Sequence, residues 1–487
     1  MKNIIGIFAV ALVMFTAVSC EKNEVIPGGN VEGKIVTLAA SINNGGTKTS
    51  LGVKDGDTYP VLWSKGDVIA VMQGSNKYEF TLKEGEGTTS ATFQCESAEG
   101  FDPTKSYRAC YPYDIVTRVT EQTVYCNIPD TRVYVSNNFS NGSMPMTAVS
   151  SNEGLVFEPL FGALKLQLIG DNDTKIVSIE IYSNDEPLSG ELFKYSYNSS
   201  GTINFILQDG GHKQYLKLDC GENGVQLSNN VTEFIIPIRR NVDRWATTNN
   251  VIITDQNGNR RVVRDNLAKT IIAGNIIKMA PINFGPQENE YIVEKDGKKT
   301  YYGAGIEKYG IIWAPVNCGF EPSTSTSEGY PWGQYFQWGS NNGLGYSGFT
   351  TSNENPVPAQ PDANTFYTNW NKSDEWRDDP CPDGWEIPTT TQLQNVTMAI
   401  YRTDSEYMFS NQSGNQIDNL YFPHAGYITN GSSSNQNRPY GGYYWAKNTV
   451  AGRCYCGFLS GGRFSTQVPT YNNAAYAIRC VKVESPA

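Results

Sequence analysis

Histidine is nearly missing from this chain, with two residues in 487, at positions 212 and 424. That scarcity removes most acid–base and metal chemistry. No Cys-x-x-Cys pair stands with matching histidines, so zinc is not indicated. No Ser/His/Asp or Cys/His arrangement has the spacing of a nucleophilic centre. His424 lies between apolar residues in Phe422-Pro-His-Ala-Gly-Tyr427, the setting of a structural histidine. The acid pairs Asp374-Glu375 and Asp378-Asp379 around Trp376 read as a solvated loop rather than a glycosidase pair. The expectation is a protein with no catalytic residue, no metal and no cofactor.

Charge is also scarce. Charged residues make up 18% of the chain, the net charge is −11, and no run of Lys or Arg occurs, which excludes a nucleic-acid role. After the first twenty residues no apolar run is long enough for a membrane-spanning helix. Arginine is absent until Arg108. What the chain has in quantity is tyrosine (29) and glycine (47), with 12% aromatics. That is the profile of a polar, turn-rich β protein, too aromatic to be disordered and long enough for about three domains.

The N-terminus reads as an export signal over 1–20. Met1-Lys2 is followed by the apolar stretch Ile4–Val18, then Ser19 and Cys20. About fifteen apolar residues suit a signal h-region. The Ala17-Val-Ser-Cys20 ending resembles a lipobox, which implies a diacylated Cys20 as mature N-terminus. Residues 21–33, with Pro27, Gly28 and Gly29, read as a flexible tether.

Two sets of short alternating runs follow, assigned to 34–153 and 154–285. The first includes Lys34–Ile42, Val68–Met72, Tyr78–Leu82 and Tyr107–Tyr111, an antiparallel sandwich pattern without helix. The second includes Gly162–Ile169, Ile176–Ile181, Thr232–Ile238, and a hairpin around Asp255-Gln-Asn-Gly258. Within this span lie Lys48-Thr-Ser-Leu51, Trp63-x-x-Gly-Asp67, Thr88-x-x-Ala-x-Phe93, Tyr111-Pro-Tyr113, Ile128-Pro-Asp-Thr131, and Pro145-Met146 ahead of Phe157–Leu168. In this order and spacing they resemble the fimbrillin family of exported lipoprotein pilins of type V pili.

The resemblance implies two transthyretin-like β-sandwich domains. It also implies assembly with other pilin subunits by donor-strand exchange, after proteolysis frees an N-terminal strand. The locations implied are the cell outer membrane for the lipid-anchored precursor and the fimbrium at the cell surface. The best-known members are cut after arginine, and none precedes position 108 here. Lys48, beside Gly45-Gly46, is the cleavage candidate. Without a cut, the chain would stay lipid-anchored, as a pilus anchor or a surface glycan-binding lipoprotein.

Pro286–Asn289 reads as a linker, after which the composition changes. Of the 58 aromatic residues 33 lie in 286–487, including seven of the nine Trp, so 290–487 is read as a separate α+β domain. Thr389 and Gln392 form a T-x-x-Q capping box ahead of an apolar face at Leu393, Val396, Met398 and Ile400. Trp313-Ala-x-x-Asn-Cys-Gly319, Trp332-Gly-x4-Trp-Gly339, Cys381-Pro-x-Gly-Trp-x-Ile-Pro-Thr389, Tyr443-Tyr-Trp-Ala446 and Ala475-x3-Arg-Cys-Val481 together resemble a bacterial surface module, the Fibrobacter major paralogous domain. That module is similar in turn to the C-type lectin-like fold. The fold implies that the last strand returns to the first and that Cys381 bonds Cys480. Cys20 aside, nine cysteines remain, so at least one stays unpaired; Cys318 with Cys454 or Cys456, or free thiols, are both open.

A closed domain ending seven residues after Cys480 leaves no donor strand behind it. That favours a tip subunit with an adhesive C-terminal domain over a stalk position. Aromatic rings in polar loops are candidates for stacking on sugars: Trp332, Tyr335, Trp370, Trp376 and Tyr440. The partner expected there is a host or bacterial surface glycan or protein. Gln360-Pro-Asp362 resembles a calcium-lectin triplet but precedes the helix, so calcium is not expected.

Overall fold

The computed structural model describes residues 35–43, 50–51, 61–152, 154–183, 187–197, 203–207, 210–239, 249–263, 271–322, 332–338, 343–344, 379–400, 414–417, 420–429, 441–450, 453–460, 463–467 and 474–483. The fold is mainly β, as the alternating runs predict.

Seven strands close into a barrel. In order around it they are Val36–Ile42, Gly154–Pro159, Met146–Ser151, Arg108–Tyr111, Val68–Gln73, Asn76–Glu84 and Ser90–Cys95. The hairpin Met146–Ser151/Gly154–Pro159 belongs wholly to this barrel, although the expected boundary at 153/154 runs through its turn. One ladder is parallel, between Val36–Ile42 and Gly154–Pro159, where the sequence pattern predicts antiparallel strands. A parallel pair needs a long crossover, and here the connection is almost the whole barrel.

The fimbrillin-like motifs of this unit have structural work. Trp63 is buried edge-on against Phe93, Tyr111 and Phe157, with centroids 4.9, 5.8 and 5.3 Å away. Asp67 closes the turn at Gly66 by accepting the Ser64 N–H at 2.7 Å. Its other oxygen accepts the Tyr111 hydroxyl at 2.8 Å, and that hydroxyl accepts the Gly142 N–H at 2.9 Å. Burial, and next the Asp67 carboxylate, push the Tyr111 phenol well above its ordinary pKa. Tyr111→Phe removes one donor from a buried carboxylate. The expected loss is about 1.5–3 kcal/mol, read by urea unfolding; a loss under about 0.5 kcal/mol would mean the bond adds nothing net.

The chain then leaves the barrel and returns to it. Val116–Val119 and Thr123–Ile128 join Ser189–Tyr197 and Ile203–Leu207 in a separate sheet. Thr131–Val135 pairs in parallel with Tyr215–Asp219 at one end of a nine-stranded sheet. Phe161–Ile169 is buried on both faces, and its two polar side chains, Lys165 and Gln167, are both paired with Glu233. Leu164, Leu166 and Leu168 enter the second core, while Phe161 and Ala163 face the first unit.

The nine-stranded sheet does not stop at residue 285. Asn249–Asp255 pairs with Arg260–Val263, and that strand pairs in parallel with Lys298–Ala304, whose hairpin partner is Glu290–Lys295. Val251 and Ile253 point into the second core, whereas Ile252 and Val262 point into the core of the C-terminal domain, beside Tyr291 and Tyr302. Two cores therefore share one sheet, one on each face. The segment read as a linker is stitched down. Arg261 binds both oxygens of Glu290 at 2.8 and 3.0 Å and donates to the Phe284 and Gly285 carbonyls. Glu290 in turn accepts the N–H groups of Gln287 and Gly303.

In the C-terminal domain Val481–Lys482, the last described strand, lies between Ile311–Trp313 and Trp385–Glu386. The helix spans Thr390–Ile400. Its cap is reciprocal: the Thr389 hydroxyl accepts the Gln392 N–H at 3.2 Å, and Gln392 Oε1 accepts the Thr389 N–H at 2.7 Å. Cys381 and Cys480 are joined by a disulfide across a sequence separation of 99.

Candidate functional site

Two regions hold the features that the sequence singles out as contact surfaces. The first is the slot filled by Val36–Ile42. This strand makes antiparallel pairs with Ser90–Cys95 from Val36↔Cys95 to Ser41↔Ser90, and parallel pairs with Gly154–Pro159 at Ala40, Ser41 and Ile42. Val36, Leu38, Ala40 and Ile42 point into the barrel core; Thr37 and Ala39 face solvent. At about 1.5–3 kcal/mol for each of Val36, Leu38 and Ile42, the strand contributes roughly 5–9 kcal/mol, comparable to the net stability of a whole domain. A barrel without a strand here would expose two facing edges and an apolar groove. Gly154 adapts the groove wall to the strand: at φ 89, a Cβ on it would lie 2.7 Å from the Ala39 carbonyl oxygen.

The second region is the aromatic C-terminal domain. Of its tryptophans, Trp313, Trp385 and Trp445 are core residues. Trp332 is partly buried against the cluster around Trp313, and its carbonyl accepts the Asn317 side-chain amide at 2.8 Å. Tyr335 is 0% exposed, and its hydroxyl donates to the Ala425 carbonyl. This corrects the expectation of a sugar-stacking ring there: the hydroxyl finds a buried partner, so the whole side chain turns inward. Trp370, Trp376 and Tyr440 lie outside the described residues, as do Cys20 and Lys48. Among the expected contact residues the structure therefore brings only Trp332 and Tyr335 near one another, in one cluster. His424 is buried.

Sequence reading missed two residues that organise this region, Asn317 and Arg479. The buried Arg479 guanidinium donates to Asn317 Oδ1 at 2.7 Å, to the Ala314 carbonyl at 2.9 Å and to the Tyr421 carbonyl at 2.7 Å, and lies over the Phe422 ring. They are the Asn and Arg of the surface-module motifs, so those motifs mark the knot that ties the Trp332 and Tyr421 segments to the last strand. Tyr309 was also missed. It sits at φ 56 in the turn before Ile311–Trp313 and is 50% exposed; the following Gly310 is the turn signal that could have found it. Cys318 donates to the Pro380 carbonyl at 3.1 Å, and burial, then the Asp379 charge, push its thiol up to about 12, which makes it inert as a nucleophile.

No family model and no curated protein matches this chain. Among solved structures it is similar to a candidate cell adhesion protein from Bacteroides uniformis, at 13% identity over 51% of this chain and 93% of that one, with a TM-score of 0.31. It is also similar to the tip fimbrial protein Mfa3 from Porphyromonas gingivalis, at 12% identity over 47% and 80% of the two chains, with a TM-score of 0.21. A fimbrial protein from Bacteroides ovatus aligns at 10% identity over 93% and 99%, with a TM-score of 0.20. At these scores no functional argument rests on the likeness.

Proposed function

We propose that this chain is an exported lipoprotein subunit of a fimbrium, joined to other pilin subunits by strand exchange, with a C-terminal domain that adheres to a surface glycan or protein. The observation that carries the reading is the barrel slot. The first strand of the barrel fills an otherwise complete groove with four alternating apolar side chains, and another subunit's strand of the same alternation would fit it. The tip is the position proposed, with cleavage near Lys48 and Cys20 as the lipid site. A second reading is favoured by one sequence fact: no arginine precedes Arg108, which already lies inside the barrel. On that reading the chain is never cut and remains an anchor in the outer membrane through its lipid.

The test is the mass and N-terminal sequence of the protein recovered from purified fimbriae and from membranes. A chain in fimbriae that begins near Thr49 without lipid supports strand exchange at the tip. An acylated Cys20 in membrane-attached fimbriae supports the anchor. Absence of the chain from fimbriae in either form overturns the fimbrial reading.

A further inference from the structure

Two free, buried thiols share the interface between the barrel and the sheet beside it. In Arg108–Tyr111, Ala109 and Tyr111 point into the barrel core while Cys110 points outward. In Thr123–Ile128, Cys126 shares its face with Val124 and Ile128. Both cysteines are 0% exposed and belong to one apolar cluster with Ala70 and Met72. After burial, the neighbouring Cys110 thiol is the next cause that raises the Cys126 thiol well above its ordinary pKa. The two sheets touch directly beside these positions. Thr147, the register partner of Cys110, lies 3.1 Å from the Tyr195 hydroxyl, and Tyr195 is the register partner of Val124.

We propose that Cys110 and Cys126 are joined by a disulfide in the exported protein, a covalent staple between the barrel and the neighbouring sheet. Opposed cysteines on packed sheet faces are a known place for such a bond. The two thiols release two protons and two electrons to a disulfide oxidant, either a small-molecule or a protein disulfide. That oxidant leaves as two thiols while the Sγ–Sγ bond forms. The Cys381–Cys480 bond is untouched. Closure belongs to the folding stage, because burial, and then the neighbouring thiol, hold Cys126 protonated once the interface is packed. The oxidising compartment rests on the exported-subunit reading above; the placement of the two sulfurs does not.

The staple would keep the barrel attached to the rest of the subunit while the slot of Val36–Ile42 is open. The test starts from the full chain, reduced and denatured, refolded in a glutathione buffer poised so that Cys381–Cys480 closes. Free thiols are then alkylated in denaturant and the chain is digested with trypsin, which cuts at Arg118 between the two cysteines. The expected product is a linked peptide pair holding Cys110 and Cys126 without label. Both residues alkylated while Cys381–Cys480 is closed overturns the staple. The same digest of protein taken from the cell surface separates the two ideas. Both bonds open overturns the exported-subunit reading, whereas Cys381–Cys480 closed with Cys110 and Cys126 labelled overturns the staple alone.

Discussion

Replacing Glu290 with alanine is expected to cost about 3–5 kcal/mol of stability, because it strands the Arg261 guanidinium inside the protein. The two side chains are 0% and 3% exposed, so water cannot take over from the lost carboxylate. The change also removes the acceptor for the Gln287 and Gly303 N–H groups, which fix the entry into the Glu290–Lys295/Lys298–Ala304 hairpin. Urea unfolding followed by tryptophan emission is the measurement, since seven of the nine Trp lie beyond residue 285. The informative control is the double variant Arg261→Met with Glu290→Leu. It has no stranded charge and is expected to lose less than Glu290→Ala alone. Equal losses would show that shape, not charge pairing, holds the joint.

Breaking the Cys381–Cys480 bond is expected to have an effect of similar size. A sequence separation of 99 corresponds to about 4–5 kcal/mol when the cross-link is removed from the unfolded ensemble. The double variant Cys381→Ala/Cys480→Ala avoids leaving a reactive thiol at the site. Its unfolding midpoint should fall well below that of the parent, with the loss confined to the tryptophan signal of the C-terminal domain. The barrel contains only Trp63, and its own transition, followed by hydrogen exchange in Arg108–Tyr111, should stay in place. A shift there as large as in the C-terminal domain would show that the two regions unfold as one unit.

Much of the architecture was legible where the signal is local. The alternation in Val36–Ile42 gives a half-buried strand, Asp255-Gln-Asn-Gly258 gives a hairpin turn, and Thr389 with Gln392 gives the helix start. Pairing between distant segments was not legible. Nothing local in Thr131–Val135 says that it joins Tyr215–Asp219 rather than a barrel strand. Nothing in Pro286–Asn289 tells a linker from a segment fixed by Glu290 at the Gln287 N–H and by Arg261 at the preceding Phe284 and Gly285 carbonyls. The clue was in Ile252 and Val262: apolar residues on the face opposite Val251 and Ile253 mean a strand covered on both sides. For the candidate site, polar neighbours made Tyr335 look exposed, but its burial depends on Ala425, ninety residues away. Composition alone does not separate a ring that stacks on a ligand from one that completes a core.

The sheet shared by two cores also bears on mechanics. A binding head on a loose tether swivels, and tension reaches it through a single strand of backbone. Here any pull on the C-terminal domain passes sideways into Arg260–Val263 through the ladder to Lys298–Ala304, backed by apolar contacts at Ile252 and Val262. On the proposed adhesive role, the C-terminal domain would then act as a fixed lever arm. Its direction would follow the twist of the sheet, and torque on it would be carried by the shared sheet rather than dissipated in a hinge.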